Sequence, residues 1–314
     1  MKKNAIVRIV IWSIVILVLV GILIAGVSLK LFTIRNTVGT TVVENVMVDG
    51  ETVSVVPDTV RDICIDWAAG SITIAPGDVD TITFSETPVS NIKDKMVWDW
   101  TGEKLTIQCR EDKFSGVGIH VGDYKEKDLT IVVPADWTGN SLEVNAASAK
   151  LEVSNLTFRE VEIDTASGEC RFDSCTVDDL DIDTASGDIR FSGNLRELDC
   201  EAASASFVGV LDTVPSRISM DSMSGNLDLT LPENAGFTID LDAMSSDFSS
   251  DFPTVKKDGC HVSGDGACKI SVNAMSGDVI LRSHKTDCDT TDCTVPSKDH
   301  QTHSDADHNG QAHS

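Results

Sequence analysis

Aromatic and basic side chains are both scarce in this chain. Aromatics make up 5% of 314 residues, with a single tyrosine, while apolar residues overall reach 41%. A core assembled mainly from Val, Ile, Thr, Ser and Gly suits thin stacked β layers better than an enzyme interior with a deep pocket. Lysine and arginine number 25 against 50 acidic residues, a formal charge of -25. A field of that sign repels phosphate backbones and anionic headgroups, which excludes a basic-patch nucleic-acid binder and leaves cations and cationic partners.

Charge of either sign is missing from Ile9 to Leu29, a run of 21 residues. That length crosses a hydrocarbon layer of roughly 30 Å as a helix. Lys2, Lys3 and Arg8 precede it, and Lys30 and Arg35 follow. The positive-inside bias modestly favours a cytoplasmic N-terminus, with the acidic bulk of the chain outside. A cleaved signal peptide is the competing reading. The run exceeds the usual apolar region of such peptides, and Ile24 to Ser28 is a poor small-x-small cleavage site, so an uncleaved anchor is preferred. Residues 1–8 then form a short cytoplasmic N-terminus, 9–29 a transmembrane helix and 30–41 a linker.

No cysteine occurs before Cys64, so all nine lie in the exported part, where disulfides can persist. Cys260 and Cys268 bracket Gly264-Asp265-Gly266, which reads as a tight β-hairpin closed by a bridge. Cys288 and Cys293 are candidates for a small loop further on. An odd total leaves at least one thiol free or intermolecular.

What the chain has in abundance is one short motif. A small residue, a serine and usually a glycine recur after a short alternating strand, centred on Ser148, Ser167, Ser186, Ser204, Ser224, Ser245 and Ser276. The first six centres are spaced by 19, 19, 18, 20 and 21 residues, the signature of a stacked repeat. Alternation appears twice per period, as in Leu180-Asp181-Ile182-Asp183 before the motif and Ile189 and Phe191 after it. Two such strands cannot bury their apolar faces alone; stacking gives them a shared strip of Ile, Val, Leu and Phe. The fold expected is all-β, a two-sheeted β-solenoid over residues 42–283, with a Greek-key sandwich as the alternative. The 31-residue step from Ser245 to Ser276 is read as the same repeat carrying the Cys260/Cys268 hairpin as an insertion. Residues 81–128 are irregular and are expected to supply edge strands that cap the first coils. Residues 284–314 carry no strand pattern and are expected to form a disordered tail rich in Asp, His and Ser.

Asp183-Thr184-Ala185-Ser186-Gly187-Asp188-Ile189, its echo Ala274 to Val279, and the strand Leu129 to Pro134 resemble the DUF4097 family. The resemblance spans roughly Val42 to Leu281. It implies an envelope-facing bacterial β-repeat domain, commonly behind a membrane helix and often labelled putative adhesin. In some members it also implies a link to envelope-stress systems. It brings no catalytic residues.

Candidate chemistry rests on what the repeat aligns. Glu162, Asp181, Asp199 and Asp240 share one position in the repeat, and Asp164, Asp183, Glu201, Asp221 and Asp242 share the position two further on. At a stacking distance of about 4.8 Å these form two carboxylate columns on an outward face. Extracellular Ca²⁺ or a cationic partner could neutralise them. A merely solvated face is the plainer reading, because no loop has the spacing of a dedicated calcium cage. His300, His303, His308 and His313, with neighbouring aspartates, could hold Zn²⁺ or Ni²⁺ loosely, but His-x-x-His alone is a weak signal and a solvating tail is the preferred reading. No serine sits in a Gly-x-Ser-x-Gly elbow, and the serine ladder is explained by turn chemistry. The sequence therefore reads as a non-enzymatic, single-pass membrane protein without a cofactor. It would display a binding or scaffolding module toward an unidentified envelope protein or surface ligand. The alternative is an accessory or sensor in an envelope-stress response, acting through a membrane partner.

Overall fold

Two alternating segments per repeat leave each stretch of chain with one apolar face and one row of unused backbone groups on either side. Stacking satisfies both at once. The computed structural model describes residues 52–55, 60–87, 95–109 and 126–284. The expected membrane helix and linker lie outside these residues, as do Cys288, Cys293 and the four tail histidines. No helix long and apolar enough to cross a membrane occurs among the described residues.

The elements are all strands. The first are β1 (Val53–Val55), β2 (Asp62–Gly77), β3 (Ile82–Thr87), β4 (Val97–Thr101), β5 (Lys104–Gln108) and β6 (Lys127–Pro134). The middle of the chain winds through β7 (Gly139–Ser154), β8 (Thr157–Ser167) and β9 (Cys170–Leu211). Next come β10 (Arg217–Ser224), β11 (Leu227–Pro232), β12 (Phe237–Ser245) and β13 (Phe248–Ser250). The last are β14 (Val255–Lys257), β15 (Cys260–Ser263), β16 (Cys268–Ser276) and β17 (Val279–His284). They hydrogen-bond into one 17-stranded network, and β2, β7 and β9 run through corners without a break. The strand ladder holds to His284, a little beyond the end of the alternating pattern at Leu281, because β17 stays paired with β11 through Pro232↔His284.

Layers pair in parallel one repeat apart. Ser148 lies opposite Ser167, Ser167 opposite Ser186, and Ser204 opposite Ser224. Parallel pairing throughout the middle rules out the Greek-key alternative, whose strands are antiparallel. The register also stacks like on like inside. Val144, Ile163 and Ile182 form one buried ladder, and the rings of Phe172 and Phe191 stack at 5.7 Å. The buried cysteines Cys170, Cys175, Cys200 and Cys268 are members of this core and are free thiols, as is Cys260. Burial pushes Cys170, Cys200 and Cys268 up to about 12, which keeps them as inert packing groups.

At both ends the order of layers departs from the order in sequence. β16 lies between β10 and β12, with Ser276 opposite both Ser224 and Ser245. β17 likewise lies between β11 and β13. At the other end β2 pairs with β7 on one side and with β5 and β6 on the other. The segment expected to hold only capping strands therefore contains a full outer layer, β5 and β6, as well as caps. β4 covers β5, and β3 covers β6, both antiparallel. The buried ion pair of Lys127 Nζ with Glu86 Oε2, at 3.3 Å, ties β3 to β6 beneath the surface.

The expected Cys260–Cys268 hairpin and bridge are not present. The antiparallel hairpin is β14–β15, turned by Asp258 and Gly259 with φ of 51° and 93°. β15 and β16 then pass on opposite sides of β12. Two strand spacings, about 9.6 Å, separate them, beyond the roughly 4.4–6.8 Å that a disulfide spans between Cα atoms.

Corners are where the stack is tightest. Gly168, Gly187 and Gly277 have φ of 145°, 140° and 140°. A Cβ on Gly187 would sit 1.9 Å from the Gly168 carbonyl oxygen, and one on Gly277 1.8 Å from that of Gly225. Gly187→Ala should therefore cost well over the ~1–2 kcal/mol that a left-handed backbone alone costs an L-residue. Gly102 has a φ of 61° but nothing within 4 Å of a Cβ, so Gly102→Ala should cost only that backbone penalty. Urea unfolding of the two variants checks the ranking; equal losses would mean that coil-to-coil contact at the corner is not the constraint.

Candidate functional site

Outward residues on the segment before each corner alternate with core residues, so three outward positions per layer stand side by side. β8 supplies Glu160, Glu162 and Asp164, and β9 places Asp179, Asp181 and Asp183 opposite them in the same order. The next turn of β9 brings Glu197, Asp199 and Glu201 alongside, shown by Arg196 bridging to Asp179 at 2.8 Å and by Glu201 and Asp199 acting on Asp183. The result is a three-by-three field of carboxylates, spaced about 4.8 Å between layers and about 6.6 Å along a strand. Two of its columns match the sequence expectation. The third, Glu160, Asp179 and Glu197, escaped it because the neighbouring layers carry Ser141 and Arg217 at that position and break the run. Acidic residues at three alternate positions in consecutive repeats were the signal that could have found it.

The expected columns are also shorter than the repeat suggested. Asp221 continues the inner column beside Glu201, but the next layer is β16, and it presents Asn273. Asn273 Nδ2 donates to Asp221 Oδ1 at 2.5 Å. Asp242 comes only after Asn273, and Asp240 is parted from Asp199 by Ser219 and Ser271. Both lie outside the continuous field, since the out-of-order layer β16 is interposed. Asn145 closes the inner column at its other end, opposite Asp164. The inner column is thus bounded by amides, while the Glu162 column runs on to Glu143 in the neighbouring layer, where Lys104 pairs with it at 3.3 Å.

Cations meet this field mainly at its rim. Arg159 reaches Glu160 at 3.6 Å, Arg217 reaches Asp199 at 3.1 Å, and Arg196 pairs with both Asp179 and Glu197. Among the described residues no basic side chain forms an ion pair with Asp183. Its carboxyl is pushed up to about 7, first by burial and then by Glu201, Asp181, Asp164 and Asp199. Asp181, Glu201 and Asp221 are also raised, again by burial first and then by neighbouring carboxylates; the Asn273 hydrogen bond opposes the shift at Asp221. The segment after the corner is organised differently. There Arg171 pairs with Asp173 at 2.6 Å, Arg190 with Glu169 at 3.4 Å and Arg282 with Asp228 at 2.9 Å. One face balances its charges within and between layers; the other carries acid in excess, with its arginines at the rim.

No group of three or more His, Cys, Asp or Glu side chains among the described residues is placed to hold a metal ion. Carboxylates in register on a pleated face point outward side by side instead of converging. The serine ladder likewise forms no nucleophile site. A polar groove of about 360 Å³ follows the corner past Asp188, Ser204, Ser224, Asn226, Ser276 and Asp278. Its lining contains no histidine: of the two described, His261 lies 4.6 Å from the ring of Phe248, and His284 Nε2 is 3.0 Å from the Leu211 carbonyl oxygen. Corner satisfaction comes instead from neighbours. Thr165 and Thr184 hydroxyls donate to the Ser167 and Ser186 carbonyls at 3.0 Å, and the Asn226 Oδ1 accepts from the Asp278 amide at 2.8 Å.

An all-β repeat protein that presents one predominantly acidic face is the class that the fold and this surface define. The chain belongs to the Toastrack DUF4097 family, whose model matches residues 60–206 and 195–282. Among solved structures, it is similar to a putative adhesin from Bacteroides fragilis NCTC 9343, at 16% identity and a TM-score of 0.43, over 74% of this chain and 96% of that one. A putative cell adhesion protein from Clostridium sporogenes ATCC 15579 aligns at 12% identity and a TM-score of 0.35, over 74% of this chain and 98% of the other. A putative adhesin from Parabacteroides distasonis ATCC 8503 aligns at 11% identity and a TM-score of 0.38, over 73% and 96%. These likenesses are too distant to carry a function across. Comparison with curated proteins finds no match.

The shifts give a pH dependence with a definite sign. A carboxyl whose folded pKa lies above its unfolded value binds its proton more tightly when folded, so stability falls as pH rises from about 4 toward the folded value. For Asp183 that window ends near 7, and Asp181, Glu201 and Asp221 act in the same direction. Thermal unfolding should therefore show a higher midpoint at pH 5.5 than at pH 8, and Asp183→Asn should flatten the difference while raising the midpoint at pH 8. A wild-type midpoint that climbs from pH 5.5 to pH 8 would contradict the burial and crowding described for this field.

Proposed function

We propose that this chain is a membrane-anchored, extracytoplasmic binding or scaffolding module of the bacterial cell envelope, adhesin-like and without catalytic activity. Its contact surface is the carboxylate field on β8 and β9. The stack is a two-sheeted β-solenoid in this reading, and its regular outward rows make a broad, flat platform suited to a macromolecular partner. The observation that carries the proposal is the unequal treatment of charge on the two faces. Where Arg171, Arg190 and Arg282 neutralise one face, the field around Asp183 keeps its like charges together despite their mutual cost. An excess of charge of one sign favours fast, oriented encounter with an oppositely charged surface. The partner is therefore cationic, a protein or polymer at the envelope, and exposure to the outside follows from the apolar run of residues 9–29 read as an anchor.

Photo-crosslinking in intact cells tests this, using the full-length chain with a photoreactive residue at Glu162 or, as a comparison, at Glu152 on the charge-balanced face. Adducts should form from Glu162, should include a basic partner, and should fall at least several-fold when Asp181, Asp183 and Asp199 are changed to Asn. Recovery of a membrane kinase or regulator from that position would point to the stress-response role instead of adhesion. Adducts of equal yield from both positions, unaffected by the triple change, would remove the field from the binding surface.

A further inference from the structure

In a stack whose layers follow the order of the sequence, the layer nearest each chain end is also the outermost one. It is held by a single ladder and can peel away alone. Here neither end is arranged so. β2 is the first full layer in sequence yet lies one layer in, paired with β5 and β6 outside it and with β7 inside. β16 and β17 are the last strands among the described residues, yet β10 and β12 flank one and β11 and β13 flank the other. The positionally outermost layers, β5 with β6 and β12 with β13, belong to interior stretches of chain and cannot leave without drawing their neighbours along.

Side chains and backbone reinforce the interlock where the chain enters and leaves. The Trp137 indole donates to the Val60 carbonyl at 2.9 Å, and the Trp67 indole donates to the Lys127 carbonyl at 2.9 Å. Ile63, Ile65, Ile72 and Ile74 of β2 are fully buried, and Ile270, Val272, Val279 and Leu281 of β16 and β17 are buried too. At the exit the Glu233 amide donates to the His284 carbonyl at 3.0 Å, and the His284 ring contacts Leu211. Among the described residues only the edge strand β1, paired with β3, sits before the interlock.

We infer that this domain is a tension-bearing link: load applied at its two chain ends is carried by strands clamped on both sides, so the stack opens as one unit instead of unravelling layer by layer. A force drawing on His284 meets β11 alone at Arg282–His284 and must then break the ladders to β11 and β13 together from Leu281 inward, and one drawing on Val60 must break those to β5 and β7 together. Local opening of the terminal layers then approaches the free energy of global unfolding, in place of the fraying usual for chain ends. Nothing in this depends on the acidic face, and it would hold for any partner.

Two measurements on the full chain decide it. In native-state hydrogen exchange, amides of β2, β16 and β17 should be protected to within about tenfold of those of β8. In force spectroscopy with handles at both termini, β2 to β17 should extend in one cooperative event, preceded at most by release of β1. Protection of β16 and β17 lower than that of β8 by about a hundredfold or more, or an early extension step matching release of β16–β17 alone, would overturn the inference.

Discussion

Backbone proximity at the corner governs this molecule. Successive layers approach so closely that a single Cβ on Gly187 would overlap the Gly168 carbonyl. Such contact is possible only when every layer has the same phase, because a slip of one residue would turn the apolar rows outward. Hydrogen-bonded ladders and buried Ile, Val, Leu and Phe rows then reinforce the same phase. Corner serines follow from it: they are small residues at a crowded turn, and the hydroxyls that satisfy carbonyls there belong to Thr165 and Thr184.

The same constraint makes the electrostatics unavoidable. Once register is fixed by the backbone, any acid repeated in the motif must stand beside its copies. Two like charges 4 Å apart cost about 1 kcal/mol in water and about 4 kcal/mol at an effective dielectric constant of 20. A few such terms are tolerable against the burial of a whole apolar row, but nothing in the fold requires them. The face carrying Arg171 and Arg190 shows that the same layers accommodate alternating signs at the same spacing. A sequence that keeps so many acids together at a local energetic disadvantage is departing from the rule followed by the rest of its surface. Departures of that kind are expected where function is served.

How much of this could be read from the sequence depends on what each feature requires. Period, corner and the inner two columns are local in sequence, and the repeat displays them directly. Layer order is not local. β12 and β16 carry the same phase, so a chain that stacks β16 directly on β10 and one that stacks β12 there look alike residue by residue. That ambiguity also produced the error at Cys260 and Cys268. Glycines between two cysteines suggest a hairpin, whereas the turn at Gly264 to Ala267 carries the chain across the start of β12, with Cys268 donating its amide to Gly236. The outer layer formed by β5 and β6 was hidden for another reason: a long interval separates its two halves, which removes the period that identifies the other layers.

The ends and the middle of the stack consequently perform different tasks. Interchanged layers and antiparallel caps are confined to the ends, where a parallel sheet would otherwise expose unpaired edges and invite association. β8 and β9, which run in sequence order and without interruption, carry the acidic field. Displaying charge there is economical in structure: the middle layers have neighbours on both sides, so the rigid ladder holds the carboxylates at fixed spacing without any contribution from loops. Asn145 and Asn273 then mark the limits of the inner column, replacing a carboxylate with an amide at the layers where the interlocked ends begin. An amide at those positions can donate to the neighbouring acids, as Asn273 does to Asp221, so repulsion is halted before it reaches the layers on which the closure of the stack depends.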